Sequence, residues 1–334
     1  MDTRILGTTD RDLMQAGEML REGKLVAFPT ETVYGLGADA LNPDAVGKVY
    51  AAKGRPSDNP MIVHISEKED ILKLTYTVTE DMQKLMDAFW PGPLTMVCPA
   101  RDIIPKVTTG GLSTVAIRMP SNEVARKLIA FSECPIAAPS ANLSGKPSPT
   151  MARHCMDDLD GRIDCIIDGD DCKVGIESTV VDMTQDIPMV LRPGIITREE
   201  LSDALGKEVT LDPTLTKRPD MFNSEDFKPK APGMKYKHYA PDAEMIIYSG
   251  DRNNVELAIS LEREKREKEG FRVETIVFDE KNPEEAAHEI FKRLRACDKK
   301  DVDVILAAAL SPEGVGFSVM NRMLKSAGYN IVEV

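Results

Sequence analysis

Short apolar runs alternate along this chain with polar, glycine-bearing stretches. From Asp10, which stands as a helix cap, Leu13, Met14 and Leu20 recur at helical spacing until Gly23 closes the segment. Leu25-Val26-Ala27-Phe28 has the pattern of a buried strand and runs straight into a polar loop, Pro29–Gly37. Asn42-Pro43 predicts a helix start, a cap followed by proline at the first helical position. That helix turns Val46, Val49 and Tyr50 inward and delivers Lys53 and Arg55 at or just past its carboxyl end. Met61–Ile65 is the next strand, with His64 inside it. Helices follow near Glu69–Leu74 and Thr79–Phe89, the second stopped by Trp90-Pro91-Gly92-Pro93.

Further strands are predicted at Leu94–Cys98, Thr114–Arg118, Pro135–Ala138, Ile163–Asp168, Ser178–Asp182 and Met189–Arg192, with a helix over Glu123–Phe131. Several end in a hydroxyl or a cation, and together they suggest one polar cleft at one face of a sheet. Between 206 and 241 neither period is sustained, and prolines 213, 219, 229, 232 and 241 interrupt it. A stretch this long is a linker or a lid. Its last part, Ala231–Pro241, holds two Tyr, two Lys and a His, which favours a lid. Beyond it, strands Glu244–Tyr248, Val273–Phe278, Val304–Ala308 and Tyr329–Val332 alternate with helices near Val255–Lys268, Pro283–Cys297 and Val315–Ala327. Such alternation predicts a small parallel sheet. No catalytic pattern stands out in this part, which reads as a regulatory or partner domain.

A chain of 334 residues suggests two domains, and 42% hydrophobic with 29% charged residues fits a soluble globular protein. No apolar run reaches the roughly 20 residues a bilayer span needs. Met1-Asp2-Thr3-Arg4 lacks the layout of a secretory signal. The six cysteines form no C-x-x-C pair, which argues against zinc and disulfide frameworks and suits a reducing cytoplasm. A net charge of −13 disfavours broad nucleic-acid binding while leaving room for a local basic pocket.

Lys53-Gly54-Arg55 is the strongest chemical feature. A lysine and an arginine flanking a glycine suit a polyanion such as a nucleotide triphosphate, although a solvated basic turn fits the same residues. Pro139–Ser148, at a strand end, concentrates small residues and hydroxyls that let backbone crowd against phosphate or ribose. Gly145-Lys146 does not make a P-loop: that pattern needs Gly where Ser140 stands and a hydroxyl where Pro147 stands, and no G-x-G-x-x-G follows a strand.

Taken in order, Pro29–Gly37, Lys53-Gly54-Arg55, Trp90–Thr95, Ser140-Ala141-Asn142 and Leu191-Arg192-Pro193-Gly194 resemble the YrdC-type domain of threonylcarbamoyl-AMP synthases. Pro232–Pro241 resembles the linker of that family's longer, two-domain form, so the resemblance runs over nearly the whole chain. It implies an α/β fold: a YrdC-like twisted mixed sheet with a concave cleft in residues 1–205, a linker or lid over 206–241, and a small Rossmann-like parallel α/β domain in 242–334. It also implies a nucleotidyltransferase that makes L-threonylcarbamoyl-adenylate from L-threonine, bicarbonate or CO2, and ATP, releasing pyrophosphate. The product would feed a threonylcarbamoyl transferase complex that modifies adenosine 37 of tRNA. Direct tRNA contact is left open, and no membrane is involved.

Matched motif by motif, the resemblance makes Lys53 and Arg55 catalytic, neutralising phosphate charge together with a Mg²⁺ ion brought in with ATP. Arg55, Asn59, Thr114, Ser140, Asn142, Ser148, Arg192 and Tyr236 are the implied ATP contacts. Thr32, Tyr34, His64, Arg118, Ala138 and Ser178 are the implied surroundings of threonine and its carbamate, with Tyr236 also closing over the cleft. Two other readings compete. A noncatalytic RNA-binding module is weakened by the acidic charge. Carbamoyl transfer in hydrogenase maturation would bring an acylphosphatase domain and cysteine-rich zinc fingers, and this chain has neither pattern.

Overall fold

The computed structural model describes residues 2–216 and 238–334. The larger sheet contains, in chain order, β1 (Arg4–Leu6), β2 (Val26–Phe28), β3 (Gly35–Asp39), β4 (Ile62–His64), β5 (Leu94–Pro99), β6 (Thr114–Arg118), β7 (Ile136–Ala137), β8 (Cys165–Ile167), β9 (Thr179–Asp182), β10 (Met189–Arg192) and β11 (Thr210–Leu211). They lie side by side as β1-β8-β2-β3-β7-β4-β6-β5-β9-β10-β11. The pairing is mixed: β4 runs parallel to β6 with His64 beside Arg118, whereas β3 and β4 run antiparallel to β7. Helices α1 (Asp10–Arg21), α2 (Pro43–Lys53), α3 (Ile71–Leu74), α4 (Glu80–Phe89), α5 (Glu123–Ser132), α6 (Ala152–Leu159) and α7 (Arg198–Leu205) accompany this sheet.

The smaller sheet comprises β12 (Glu244–Ser249), β13 (Val273–Ile276), β14 (Val304–Ala308) and β15 (Ile331–Glu333), in the order β13-β14-β12-β15 and parallel throughout. Its helices are α8 (Arg252–Lys268), α9 (Pro283–Lys299) and α10 (Gly314–Ser326). This is the mixed sheet plus small parallel α/β body that the resemblance implies. The two bodies share apolar surface: Val33, Ile176 and Tyr239 belong to the same buried cluster as Ile290, Phe291, Val319 and Met323. Burying apolar side chains from both bodies in one cluster favours a fixed relative placement.

Local sequence explains the elements that matter for the cleft. In α2, Asn42 Oδ1 accepts from the amides of Asp44 and Ala45, Pro43 follows it, and Gly54 ends the helix at φ 63°. That left-handed conformation suits glycine, and the turn it makes is what swings Arg55 off the helix axis. The cap of α1 is Thr9, accepting from Asp12, one residue before the expected Asp10.

Three features depart from expectation. Residues 35–37, taken for loop, begin the central strand β3: a Cβ on Gly37 would lie 2.9 Å from both Ile136 and Phe28, so only glycine lets β3 pack there. Glycine carries no β propensity, and this hides the strand in the sequence. Helix α6 was not foreseen. The stretch 206–241 opens as sheet, because β11 pairs with β10 and Asp212 donates to the Val190 carbonyl at 2.9 Å. At its far end Ala240 donates to the Gly145 carbonyl at 2.9 Å, and Tyr239 packs on Phe291 with ring centroids 5.2 Å apart.

Candidate active site

A cleft of about 710 Å3, open solvent at its mouth included, lies where α2, the 138–146 loop and the ends of β4, β6 and β10 converge. Five cationic side chains reach it (Lys53, Arg55, Arg118, Lys146 and Arg192), against a single carboxylate, Glu177, among the described residues. In a protein of net charge −13 this is a strong local reversal of sign, which focuses an anion into the cleft.

Lys53 closes one wall. Its ammonium donates to the carbonyls of Ser140 and Asn142, both at 2.5 Å, while its own carbonyl accepts from the Ser144 amide at 2.9 Å. Burial, with Arg55 beside it, pushes the lysine well below its ordinary range. The two carbonyl acceptors act in the opposite sense by solvating the charge. Asn142 completes the loop by donating to the carbonyls of Leu143 and Lys146 at 2.8 and 2.9 Å. Arg55 donates to the Pro60 carbonyl at 3.1 Å.

Opposite, Arg118 is almost wholly buried and makes three contacts: Glu31 Oε1 at 2.7 Å, Thr32 Oγ1 at 2.9 Å and the Gly92 carbonyl at 3.3 Å. Thr30 and Thr32 place their hydroxyls 2.9 Å apart behind it. His64, paired across the sheet with Arg118, packs edge-on against Phe28. Burial and then the neighbouring arginine hold its imidazole down to about 3, so the ring is neutral at pH 7.

The third wall joins Ser178 and Arg192. Arg192 donates to the Ser178 carbonyl and hydroxyl, each at 3.0 Å, and Ser178 Oγ lies 2.7 Å from Thr95 Oγ1. Burial lowers the Arg192 guanidinium to about 10, still protonated at pH 7. Glu177 is buried beside it, accepting from Ser148 at 2.5 Å and from Arg322 at 3.1 Å. Burial pushes this carboxyl up, but Arg322, Arg192 and the Ser148 hydroxyl outweigh it and leave it below the usual range.

The structure thus brings together Lys53, Arg55, Thr32, His64, Arg118, Ala138, Ser140, Asn142, Ser178 and Arg192. It does not bring four other expected residues to the lining. Asn59 is buried beneath Arg55, its carbonyl accepting from Tyr50 at 3.0 Å. Ser148 lies behind the wall on Glu177. Tyr34 points into the core and donates to the Gly169 carbonyl at 3.0 Å, burial raising its phenol far above the usual range. Thr114 begins β6 and pairs with Pro99, at the opposite end of the strand from Arg118. Four residues of strand separate them by roughly 13 Å. Tyr236 lies outside the described residues. Glu31, Glu177 and Tyr239 are site residues that sequence reasoning missed; each carboxylate stands next to a residue it did select, Thr32 and Ser178.

The buried histidines give a pH prediction. His64 and His154 are held down to about 3 and about 4, in both cases chiefly by burial, against about 6.5 in an unfolded chain. Between those limits the unfolded state binds more protons, so their contribution is complete above about pH 6.5 and drains away as pH falls towards 3 to 4. Urea midpoints are expected to drop steadily from pH 7 to pH 4, with a shallower drop in His64→Asn. An unchanged slope in that variant would assign the effect to other groups.

Comparison with known proteins agrees with this architecture. The Sua5/YciO/YrdC family model, described as telomere recombination, matches residues 18–194, and a model for the threonylcarbamoyl-AMP synthase C-terminal domain matches 196–328. The threonylcarbamoyl-AMP synthase of Pyrococcus abyssi is 47% identical over 329 residues, 96% of this chain and 95% of its own length. That of Bacillus subtilis is 44% identical over 344 residues, covering 98% and 96%. The crystal structure of P. abyssi Sua5 complexed with L-threonine superposes with a TM-score of 0.92 at 45% identity, covering 99% of this chain and 100% of that one. A two-domain α/β enzyme with a cation-lined cleft is the class these features define. The chain belongs to the threonylcarbamoyl-AMP synthase family and is an enzyme of that type. No helix among the described residues is long and apolar enough to cross a membrane.

Proposed function

We propose that the enzyme joins L-threonine, bicarbonate or CO2, and ATP into L-threonylcarbamoyl-adenylate with release of pyrophosphate, the intermediate for N6-threonylcarbamoylation of adenosine 37 in tRNA. The observation that carries this is the cleft's lining of five cations: we assign Lys53, Arg55, Lys146 and, from the third wall, Arg192 to one group of anions, and the Arg118–Thr32 corner to another. The first set suits phosphates. The second, with a buried guanidinium among hydroxyls, suits the carboxylate and hydroxyl of a small amino acid. The relative solved with L-threonine supports threonine as the amino acid.

In this reading the threonine amine takes up CO2 as a carbamate. A carbamate oxygen then attacks the α-phosphorus, forming the new O–P bond as the bond to pyrophosphate breaks. Lys53, Arg55 and Arg192 hold the phosphates and balance the charge that builds on them. The carbamate is labile, so orientation and exclusion of water matter more than any general base. Neutral His64 stands near threonine as a wall rather than as an acid. Mg²⁺ accompanies ATP in this proposal, but the described residues hold no cluster of three or more His, Cys, Asp or Glu fit for a metal. Glu177 is taken by Ser148 and Arg322. The ion's ligands are assigned in this proposal chiefly to phosphate oxygens and water. The cytoplasm is the proposed setting, with the transferase that acts on tRNA as the consumer of the product.

Pyrophosphate release is expected only with threonine and bicarbonate both present, and Arg55→Ala is expected to cut kcat/KM by about 10²- to 10³-fold. Rapid release with either substrate omitted would sink the proposal. Steeply salt-dependent RNA binding without ATP turnover would favour the RNA-binding alternative instead.

A further inference from the structure

Two arginines of the small body end inside the walls of the cleft. Arg322, from α10, is wholly buried. It donates to Glu177 Oε2 at 3.1 Å, to the carbonyls of Ser318 and Glu177 at 3.3 and 3.4 Å, and to the Pro193 carbonyl. Arg295, from α9, is 6% exposed and donates to both oxygens of Asp158, at 3.2 and 2.7 Å, and to the Pro147 carbonyl at 2.7 Å. Neither lines the cleft. Both grip the segments that do.

The contacts sort by wall. Asp158 Oδ2 also accepts from the Leu143 amide at 3.2 Å, so Arg295 fixes the 143–147 loop at both ends, and that loop continues from Ser140 and Asn142. Arg322 bears on Glu177 and Pro193, the immediate neighbours of Ser178 and Arg192. Ser318, one turn earlier in α10, donates to the Gly194 carbonyl at 2.7 Å. Contact between the bodies is close throughout this zone: a Cβ on Gly175 would meet His288 Cα of α9 at 2.4 Å. An interface needed only for adhesion is served by apolar contact, and burying a guanidinium is costly unless its donors are met by acceptors in fixed directions. All three nitrogens of Arg322 are met in that way, and so are the two Nη groups of Arg295.

We propose that Arg295 and Arg322 are positioning residues for the reaction. Arg295 sets the 140–148 wall that meets the nucleotide, and Arg322, acting through Glu177 and Pro193, sets the Ser178–Arg192 wall. The small body is thereby part of the catalytic unit. This rests on the assignment of ATP and threonine to the cleft, and a displacement of about 1 Å in either wall is enough for a large loss of rate.

The test uses the full-length chain carrying Arg295→Met, Arg295→Lys or Arg322→Lys, with steady-state kinetics and calorimetric binding of ATP and of L-threonine measured separately. Arg295→Met is expected to raise KM and Kd for ATP by about 10- to 100-fold while threonine Kd stays within about twofold. Arg295→Lys, which keeps a cation at Asp158 but cannot also reach Pro147, is expected to fall between and stands in if the Met variant does not fold. Arg322→Lys is expected to weaken both ligands and lower kcat. Asp158→Asn is expected to reproduce the Arg295 effect without adding to it. Folded Arg295 variants with wild-type ATP affinity, or with ATP and threonine weakened equally, would overturn the proposal. Failure of the wild type to release pyrophosphate would instead overturn the reaction assignment, and the binding split would still report on the arginines.

Discussion

Lys53→Met is expected to lose about 10²- to 10³-fold in kcat/KM for ATP and to lose stability as well. Two carbonyls, the part-buried one of Ser140 and the buried one of Asn142, accept from this one ammonium, and both are left without it in the variant. Leaving the buried Asn142 carbonyl unsatisfied costs about 1–3 kcal/mol, and the part-buried Ser140 carbonyl adds less. The 140–146 loop would keep its ties through Asn142 and the Ser144 amide bond to the carbonyl of residue 53, but lose both side-chain ties to α2, so the nucleotide wall would shift as well as lose charge. Urea unfolding and steady-state kinetics on the same preparations separate the two effects. A variant with wild-type kinetics would remove Lys53 from the catalytic set, whatever its stability.

Arg118→Met is expected to have the second largest effect, and through a different balance. Arg118 and Glu31 are 4% and 8% exposed in their side chains and lie 2.7 Å apart. Removing one partner of such a pair costs about 3–5 kcal/mol because the other charge stays buried. Pairing the substitution with Glu31→Leu is expected to restore most of that stability. It is not expected to restore threonine binding, for which the proposed carboxylate contact supplies about 1.5–3 kcal/mol, or roughly 10- to 200-fold. Thermal midpoints together with threonine calorimetry on both variants decide this. Recovery of threonine affinity in the double variant would remove Arg118 from the threonine corner.

How much of this was legible depends on whether a residue's task is local. Lys53 and Arg55 could be placed because a cap, a proline and a closing glycine define α2 from its own sequence. Arg118 and Arg192 could be placed because a cation ending an apolar run is conspicuous. Thr114 stands at the far end of β6 from Arg118, and strand periodicity reports which face a residue takes, not which end of the strand it occupies. Arg295 and Arg322 were invisible because each sits in an ordinary amphipathic helix, and its partner, Asp158 or Glu177, is more than a hundred residues away. The available signal was a basic side chain on an otherwise buried face: Arg322 follows Val319 and Met320 and precedes Met323. The glycines that let β3 into the sheet also erased its apolar alternation.

The carboxyl end of α2, rather than an amino end, supplies Lys53 and Arg55 to the cleft. A helix carries partial negative charge there, so its backbone dipole opposes a phosphate where a P-loop's would attract one. What α2 contributes to anion affinity must therefore come from its side chains and not from its backbone. Reagents that neutralise lysine or arginine should weaken nucleotide binding here more than in a P-loop protein, whose helix amino end keeps its backbone amide cradle.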